Sequence, residues 1–446
     1  MHISRPPWLL LSLVLPLILA YTVYVYTPMN VAVNMAKQTT TSTVAVVGGS
    51  YVGMRLAQAL VPVLPPSHRV VVIEANSHFH HLFTFPRFAV LHRGGEEKAL
   101  IPYSHALDSA SGRASIVHAK ALSIHANADD PSRGYLKLDR ASNEGKDTLE
   151  FDYLAIATGT QLRSPWSLPS EQTDAATAKN EAVQTLRSYQ DAVKQAEHIV
   201  IIGGGAVGVQ VACDIGELYP NSKNVTLLHS RQHLMNKFHP DLHGIVAQRF
   251  TERGIKTRLG SRVVIPPSGS FPSFQPGKTF DVELQDGSKV QADLVLMCTG
   301  QTPRSSLLAS FAPDAITKDG FIDVSPTMQI QPASTPLARK MFALGDIANS
   351  GASKTVRAAM GQIEVITNNI LALIENSDAA SLKHFQPGPS GIHLSLGLYE
   401  SIKFGNPATE GEKPRNLGIE KDLKLDMGIE GTWRKWNVPE GTPWHL

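Results

Sequence analysis

Short, uninterrupted apolar segments alternate along this chain with longer stretches in which apolar residues recur at helical spacing. The segment 44–47 (VAVV) precedes one such stretch, which starts near Tyr51, and the segment 199–202 (IVII) precedes another. Short β-branched segments without polar alternation are typical of strands buried on both faces of a parallel sheet, and parallel strands need helical crossovers. The pattern therefore predicts an α/β fold built from parallel sheets.

Both strand–helix junctions are built from small residues, and we call them the first cradle (48–53) and the second cradle (203–208). The small residues are Gly48, Gly49, Ser50 and Gly53 in the first cradle and Gly203, Gly205 and Gly208 in the second. Small residues let a dinucleotide pyrophosphate approach the backbone, where free N–H groups at a helix N-terminus favour an anion. One cradle alone could equally be an ordinary glycine turn.

An internal repeat extends beyond the two cradles. A second apolar strand, Arg69–Ile73 in the first copy and Asn224–Leu228 in the second, ends at Glu74 and at His229. Each of these two residues follows the first glycine of its cradle by 26 residues. A carboxylate at that position can accept hydrogen bonds from a ribose diol. Two copies in identical register predict two dinucleotide-binding units.

Each copy ends with a third apolar strand. In the first copy this segment is FDYLAIATG at 151–159, which ends in Gly159, and in the second it is ADLVLMCTG at 292–300. A further buried strand, MFALG at 341–345, is followed at once by Asp346. An aspartate there can hydrogen-bond to a chain of hydroxyl groups such as the ribityl of a flavin, or it can cap a helix. We expect that helix over Lys354–Ile374.

The second copy has no acid at the ribose position. His229 stands there, and Ser230 and Arg231 follow it. A guanidinium can pair with phosphate, whereas an acid would select a free ribose 2′-OH and repel a 2′-phosphate. We therefore expect NADPH to be accepted at least as well as NADH. The alternative is that Arg231 points to solvent and the protein does not discriminate.

Charge and cysteine content exclude several classes of function. Lys+Arg number 41 and Asp+Glu 39 in 446 residues, with no basic stripe interleaved with aromatics, so no nucleic-acid partner is expected. The two cysteines, Cys213 and Cys298, form neither a disulfide framework nor a metal pattern. His78, His80 and His81 fall in an expected loop without a matching acidic or cysteine cluster, so we expect no metal site.

The N-terminal segment Trp8–Thr27 contains twenty residues without a charge. That length can span a bilayer, and we expect a single N-terminal pass in a mitochondrial or other organelle membrane. A cleaved signal peptide ending at Ala20 and a weak mitochondrial leader are the alternatives. Asn30–Thr43 is a polar linker into the first strand.

In their order along the chain, these motifs resemble the flavoproteins with two dinucleotide-binding domains, from residue 43 to about 375. The resemblance is closest to the apoptosis-inducing-factor-like ferroptosis suppressor proteins and the type II NADH dehydrogenases, and two segments carry it. These are HFHHLFTFPR at 78–87 and KTVRAAMGQIEVITNNILALI at 354–374. Disulfide reductases of the same fold have two closely spaced cysteines beside the flavin, and this chain has no such pair.

The resemblance implies which residues hold which cofactor. FAD would contact Gly48, Gly49, Ser50, Gly53, Glu74, Gly159 and Asp346, and the nicotinamide coenzyme would contact Gly203, Gly205, Gly208, His229 and Arg231. Lys354 corresponds to a lysine near the flavin in the suppressor proteins, although a solvated lysine is the alternative. A cation in the first turn of a helix opposes the helix dipole, which suggests a role such as meeting negative charge on the reduced flavin.

The resemblance also implies a domain division and a function. Two Rossmann-like three-layer domains are expected, with the second inserted in the first. The divisions are 1–42 for the anchor and linker, 43–163 and 295–375 for FAD, 164–294 for NAD(P)H, and 376–446 for a small C-terminal region. We expect an FAD-dependent NAD(P)H oxidoreductase with a small quinone-like acceptor. The alternatives are a tailoring oxidoreductase of a specialised metabolite and a cofactor-binding sensor or scaffold.

Overall fold

The structure is a computed structural model that describes residues 41–108, 112–142, 144–168, 172–375, 381–421 and 423–445. Residues 43–64 and those from 69 onward form one compact unit, and the account below concerns that unit. The expected anchor, Trp8–Thr27, lies outside the described residues. Among the residues that the structure does describe, no helix is long and apolar enough to cross a membrane.

Strands outnumber helices in this unit. The strands are β1 (Ser42–Val47), β2 (His68–Glu74), β3 (His78–His80), β4 (Leu100–Pro102), β5 (Ala114–His118), β6 (Ala121–Ala126), β7 (Gly134–Leu138), β8 (Thr148–Phe151), β9 (Tyr153–Ile156), β10 (Thr160–Gln161), β11 (His198–Ile202), β12 (Asn224–Leu228), β13 (Lys256–Arg258), β14 (Phe280–Glu283), β15 (Lys289–Ala292), β16 (Leu294–Met297), β17 (Thr302–Pro303), β18 (Ile322–Asp323), β19 (Met341–Ala343), β20 (Ala348–Asn349), β21 (Gly391–Ser395), β22 (Ser401–Gly405) and β23 (Arg415–Glu420). The helices are α1 (Tyr51–Leu60), α2 (Phe85–Phe88), α3 (Ala175–Gln195), α4 (Ala206–Leu218), α5 (Pro240–Glu252), α6 (Val356–Ile374) and α7 (Glu430–Lys435).

The first sheet has the strand order β19-β9-β1-β2-β5. β1 and β19 both pair in parallel with β9, and β2 pairs in parallel with β5. The side chains of Val44, Ala45 and Val46 are fully buried, as the uninterrupted apolar run predicts. Because the strands are parallel, their carboxyl ends meet at one edge of the sheet, which is where cofactors bind in such folds.

The second sheet has the order β13-β12-β11-β16, and all its pairs are parallel. The chain passes between the two sheets along β10 and β17, which pair in antiparallel orientation. The two parallel sheets confirm the predicted α/β class with two Rossmann-like units. All of β16 pairs with β11, so this strand, Leu294–Met297, belongs to the second sheet.

Two local expectations differ from the structure. The last long helix, α6, begins at Val356 and not at Lys354, because the side chain of Thr355 caps it by accepting a hydrogen bond from the N–H of Ala358. His78 and His80 lie on β3, which pairs with β4, and not in a loop. Hydrogen bonding to β4 stabilises this short strand, and the sequence of β3 alone does not predict that it pairs with β4.

The C-terminal region contains an antiparallel sheet of order β21-β22-β23 and the short helix α7. A fully buried arginine, Arg87 of α2, anchors this region to the rest of the unit. Its guanidinium forms two hydrogen bonds with the carboxylate of Asp214 on α4, at 2.8 and 3.1 Å. It also donates to the carbonyls of Gly397, Leu398 and Leu425. One side chain therefore joins the first copy of the repeat, the second copy and the C-terminal region.

The two candidate dinucleotide sites

The first cradle connects β1 to α1 and can be built only with glycine at two of its positions. Gly48 has φ +103°, and a Cβ there would lie 2.4 Å from the carbonyl oxygen of Ala157. A Cβ at Gly53 would lie 1.8 Å from the carbonyl oxygen of Gly48, so helix and turn are in direct contact. Ser50 is the N-cap residue of α1, but its side chain makes no capping hydrogen bond. The N-terminus of α1 therefore has no side-chain cap competing with an anion.

Glu74 lies directly beneath this cradle. Its Oε2 accepts a hydrogen bond from the N–H of Gly49 at 2.6 Å, and its Oε1 accepts from the N–H and the side-chain amide of Asn76 at 2.8 and 2.9 Å. The residue is only 6 % exposed. The carboxylate is thus held at the end of β2, where an acid binds a ribose diol.

The second cradle repeats this geometry between β11 and α4. Gly203 has φ +120°, and a Cβ at Gly208 would lie 1.9 Å from the Gly203 carbonyl oxygen. The N–H of Gly204 donates to Nδ1 of His229 at 3.1 Å, which is the counterpart of the bond between Gly49 and Glu74. A Cβ at Gly205 would meet nothing within 4 Å, so protein packing does not demand glycine there. A glycine without a packing reason fits a ligand that approaches the backbone closely.

The imidazole of His229 has a defined state. Because Nδ1 accepts the Gly204 N–H, the neutral ring carries its hydrogen on Nε2. Burial lowers the pKa of His229, while hydrogen bonding with the side chain of Asn236 and the backbone of His233 raises it. Ser230 and Arg231 are both exposed at the end of β12, and no hydrogen bond ties the Arg231 side chain to the described protein.

Asp346 and Lys354 lie together beyond β19. Asp346 belongs to the turn Gly345–Ile347, and burial raises its pKa, an effect that Lys354 and Lys237 oppose. Among the described residues, none hydrogen-bonds to its carboxylate. Lys354 donates to the carbonyl of Ala348, and its Nζ lies 4.3 Å from the centre of the Phe321 ring. Lys354 directly precedes Thr355, the N-cap residue of α6, and so lies outside the first helical turn.

The first-copy residues meet at one edge of the first sheet. The first cradle, Gly159 and Asp346 follow β1, β9 and β19, which are parallel neighbours. A Cβ at Gly345 would lie 3.4 Å from the side chain of Val52, which places the Gly-Asp turn against the start of α1. In the second copy, the cradle follows β11 and the segment His229–Arg231 follows its parallel neighbour β12, with His229 bonded to the cradle.

Several residues at the first site were not anticipated from the sequence. The backbone of Arg304 exchanges hydrogen bonds with the Gly159 carbonyl, at 3.1 Å, and with the Thr158 hydroxyl, at 2.7 Å. The hydroxyl of Tyr51 lies 2.7 Å from Nδ1 of His81, and the hydroxyl of Tyr103 donates to the Gly49 carbonyl at 3.2 Å. The sequence could have indicated Arg304, because it follows closely after the residues 298–300 (CTG) that end the third strand of the second copy. No sequence signal points to Tyr103, because its hydrogen bond to Gly49 joins residues that are 54 positions apart in the chain.

Both thiols belong to the second copy of the repeat. Cys213 is fully buried on α4, and Cys298 follows β16 in the second copy. Burial raises the pKa of both thiols, which disfavours the reactive thiolate. Within the described ranges, no three His, Cys, Asp or Glu side chains are grouped so that they could hold a metal ion.

Two cradles at the carboxyl ends of two parallel sheets, with an acid and a Gly-Asp turn completing the first, define an FAD- and NAD(P)H-dependent class of oxidoreductase. The residues fit FAD, because the Asp346 carboxylate is half-buried and accepts no hydrogen bond from a described residue. A ribityl chain carries the hydroxyl donors that it needs.

The chain belongs to the pyridine nucleotide-disulphide oxidoreductase family, which matches residues 42–363. It is 38 % identical over 369 residues to Fe-regulated protein 8 of Mycosarcoma maydis, a match covering 81 % of this chain and 88 % of that protein. It is 25 % identical over 392 residues to ferroptosis suppressor protein 1 of Xenopus tropicalis, covering 86 % and 96 % of the two chains. The fold is similar to that of the sulfide:quinone oxidoreductase of Aquifex aeolicus, with a TM-score of 0.66, 18 % identity, and 90 % and 93 % of the two chains covered.

Proposed function

We propose that this protein is an FAD-dependent NAD(P)H oxidoreductase that passes electrons from the nicotinamide, through the flavin, to a small quinone-like acceptor. The observation that carries the proposal is the duplicated cradle, with the same amide-to-side-chain bond 25 residues apart in both copies. Duplication provides two dinucleotide sites in one chain, which is what electron transfer from a coenzyme to a flavin requires.

The chain's own residues would hold the two dinucleotides. Bound FAD supplies the capacity to take a hydride from the nicotinamide and to release two electrons to an acceptor. The first cradle and Glu74 would bind its pyrophosphate and ribose, Asp346 would orient its ribityl chain, and Lys354 would place a positive charge beside it. The second cradle would bind the coenzyme.

A quinone-like acceptor is favoured by the placement of the thiols. Both cysteines of the chain belong to the second copy, where Cys213 is buried on the helix that follows the cradle. No pair of thiols adjoins the first cradle among the described residues, so electrons would leave the flavin directly. The similarity in fold to an enzyme described as a quinone oxidoreductase supports the same class of acceptor.

The test is steady-state oxidation of NADPH and NADH by purified yellow protein, with and without a short-chain quinone. Oxidation that the quinone stimulates supports the proposal. FAD that stays oxidised when either coenzyme is added would contradict it and would favour a cofactor-binding scaffold. Reduction of the flavin without transfer to any quinone would favour a tailoring oxidoreductase with a different acceptor.

We also propose that the protein associates with a membrane through Trp8–Thr27. This segment is uncharged and long enough to span a bilayer. The cofactor motifs that we name all lie downstream of it. Full-length protein should therefore resist extraction by alkaline carbonate, whereas a chain that begins at Lys37 should be released and should still bind FAD. Release of the full-length protein, or a mature N-terminus at Tyr21, would contradict this proposal.

A further inference from the structure

A group of aromatic side chains adjoins the first cradle. We call it the aromatic cluster, and its members are Tyr51, Phe79, His81, Phe83 and Trp436. Tyr51 is the first residue of α1 and directly follows Ser50 of the first cradle. Its ring centroid lies 4.7 Å from that of Phe79 and 4.8 Å from that of Phe83. The cluster therefore places a phenol and an imidazole beside the proposed FAD site.

Hydrogen bonds continue from Tyr51 to the C-terminal region. The Tyr51 hydroxyl lies 2.7 Å from Nδ1 of His81, and Nε2 of the same ring lies 3.4 Å from the hydroxyl of Thr432 on α7. Burial and the positive charge of Lys435 lower the pKa of His81 to about 4, so the ring is neutral at neutral pH. A neutral imidazole has one N–H and one acceptor nitrogen, so it can take up a proton on one side as it releases one on the other. Tyr51, His81 and Thr432 thus form a continuous path for a proton.

The surroundings of the Tyr51 hydroxyl suit a proton donor. Burial raises the pKa of this hydroxyl, so Tyr51 keeps its proton at neutral pH. Hydrogen bonding with the backbone of Phe83 and Leu82 lowers the same pKa, and such bonds stabilise a phenolate that forms briefly. A Cβ at Gly345 would lie 3.4 Å from the side chain of Val52, the next residue on α1. The start of α1 is thus in contact with both the first cradle and the Gly-Asp turn, the two parts of the proposed FAD site.

One member of the aromatic cluster offers a planar molecule a surface on which to stack. The side chain of Phe83 is 53 % exposed, although its ring packs against that of Tyr51. Aromatic rings attract one another in offset-stacked or edge-to-face arrangements. A quinone is planar, and each of its two carbonyl oxygens must gain a proton when it is reduced. An exposed aromatic ring beside a phenol that can donate a proton fits such a molecule.

We propose that a quinone ring stacks on Phe83, that Tyr51 donates a proton to its oxygen, and that His81 restores this proton to Tyr51. The inference rests on the proposed function of the protein as a quinone reductase.

The protons and electrons of this step balance. Reduction of a quinone to a quinol consumes two electrons and two protons. NAD(P)H supplies both electrons and one proton as a hydride, so one further proton must come from water. When the O–H bond of Tyr51 breaks and an O–H bond of the quinol forms, the Nδ1 proton of His81 moves to the Tyr51 oxygen. Nε2 of His81 takes up the proton of the Thr432 hydroxyl, which is replaced from water.

The test measures the two half-reactions separately by stopped-flow spectroscopy of the full-length, FAD-containing protein. NADPH or NADH first reduces the flavin, and a short-chain quinone or ferricyanide then reoxidises it. Ferricyanide takes up electrons but no protons, so its reaction does not need the proton path. Tyr51→Phe removes one oxygen atom and keeps the ring. In this variant reoxidation by the quinone should slow by ~10²-fold, as expected for loss of a general acid, while the other rates stay at their wild-type values.

The matched control is Tyr135→Phe, because Tyr135 also packs against a histidine, His125, but lies in the separate sheet β6-β7-β8. This variant should change none of the rates. Equal slowing of the quinone and ferricyanide reactions in Tyr51→Phe, or slowing of neither, would overturn the proposal. If the wild type reduces ferricyanide but no quinone, the proposed function fails and this inference fails with it. If the wild type reduces the quinone and Tyr51→Phe does so at the same rate, only this inference fails.

His81→Ala should show the same selective loss of the quinone reaction. Added imidazole should restore part of the quinone rate, and failure to restore any would show that His81 only supports the fold. A measurement on the wild type guards against variants that do not fold. Its reoxidation by the quinone should be slower in D₂O than in H₂O, whereas reoxidation by ferricyanide should be the same in both. A quinone rate that does not change in D₂O would contradict the proposal.

The role of Phe83 is tested without turnover, by calorimetry of the oxidised protein with a redox-inert quinone analogue, 2-heptyl-4-hydroxyquinoline N-oxide. Phe83→Ala should weaken binding of the analogue by ~10-fold, as expected for loss of an aromatic stacking partner. Leu122→Ala is the control, because Leu122 is a similarly exposed apolar residue on β6, and it should leave the affinity unchanged. Equal affinity in the wild type and Phe83→Ala would show that the quinone does not stack on Phe83.

Discussion

At the scale of single residues, the two sites differ most where Glu74 in one corresponds to His229 in the other. Both side chains accept a cradle N–H, so the backbone geometry is the same and the difference lies in charge. A carboxylate and an imidazole at one structural position favour different ribose substituents. The sequence register predicts this correspondence, and the hydrogen bonds confirm it.

Arg231→Ala should weaken the use of NADPH more than that of NADH. Arg231 is exposed and follows the ribose position by two residues, and loss of a charge-assisted hydrogen bond to a phosphate is expected to lower kcat/KM for NADPH by about 10-fold. Steady-state kinetics with both coenzymes measure this. Arg262→Ala, at another exposed arginine of the second copy, is the control and should change neither value. A strong preference for NADH that Arg231→Ala leaves intact would refute the assignment.

Lys354→Met should make the reduction potential of the bound flavin more negative, by about 30 mV for each 1.4 kcal/mol of lost interaction. Reduction adds negative charge to the flavin, and in Lys354→Met the reduced flavin would lose its favourable contact with the lysine ammonium. Spectroscopic titration of the potential is the measurement, and Lys354→Arg should restore most of the value. An unshifted potential in protein that retains FAD would identify Lys354 as a structural lysine that binds Ala348 and Phe321.

Replacement of both Cys213 and Cys298 by alanine should leave quinone reduction near the wild-type rate. Neither thiol has a partner thiol, and burial disfavours both thiolates. Some stability, roughly 0.5–3 kcal/mol, should be lost because Cys213 is in the core. If the coenzyme reduces the flavin normally but the acceptor is no longer reduced, a cysteine lies on the electron path.

At the scale of elements, each cradle depends on contact between a helix and the turn before it. Gly53 on α1 and Gly208 on α4 occupy equivalent positions, and a Cβ at either would come within 2 Å of a carbonyl oxygen. The helix must therefore shift away from its sheet when either residue gains a side chain. A side chain added at Gly53 or at Gly208 is therefore expected to disable one site without the other.

Gly53→Ala should release FAD, whereas Gly208→Ala should retain FAD and lose coenzyme binding. Flavin absorbance after gel filtration and calorimetry with NADP⁺ measure the two effects. Gly244→Ala on α5 is the matched control, because a Cβ there meets nothing within 4 Å and alanine favours a helix by roughly 0.8–1 kcal/mol. Loss of both ligands in both cradle variants would show that the sites do not act independently.

At the scale of the whole molecule, one buried ion pair connects three parts of the chain. Arg87 and Asp214 are both fully buried, and the same guanidinium donates to the C-terminal region. Removal of one partner of a buried pair leaves the other charge without compensation, which is far more costly than removal of an exposed pair. The C-terminal region should therefore unfold together with the sites.

Arg87→Met should lower the free energy of unfolding by about 3–5 kcal/mol. Arg93→Met is the control: this arginine pairs with Asp191 where both side chains are more than 40 % exposed, so its loss should cost at most about 1 kcal/mol. Urea unfolding followed by circular dichroism and by flavin fluorescence gives both values. Similar losses in the two variants would contradict the role assigned to Arg87.

The sequence by itself determined the features that depend on local pattern and on repetition. Uninterrupted apolar runs predicted β1, β2, β9 and β19 of the first sheet and β11, β12 and β16 of the second, but not β5 or the exposed β13. Glycine spacing predicted both cradles, and the shared register identified His229 with Glu74. These features are local because backbone conformation and burial at each position follow from a few neighbouring residues. A single cradle could be an ordinary glycine turn, and the presence of two copies in the same register is what favoured dinucleotide binding.

Only the tertiary structure decided the features that depend on residues far apart in the chain. The tautomer of His229, the contact of Tyr103 with Gly49, and the joining of three regions by Arg87 arise from chain crossings that no local pattern records. It also showed that all of β16 belongs to the second sheet. Long-range hydrogen bonds and burial are properties of packed side chains, so the fold must be assembled before they exist.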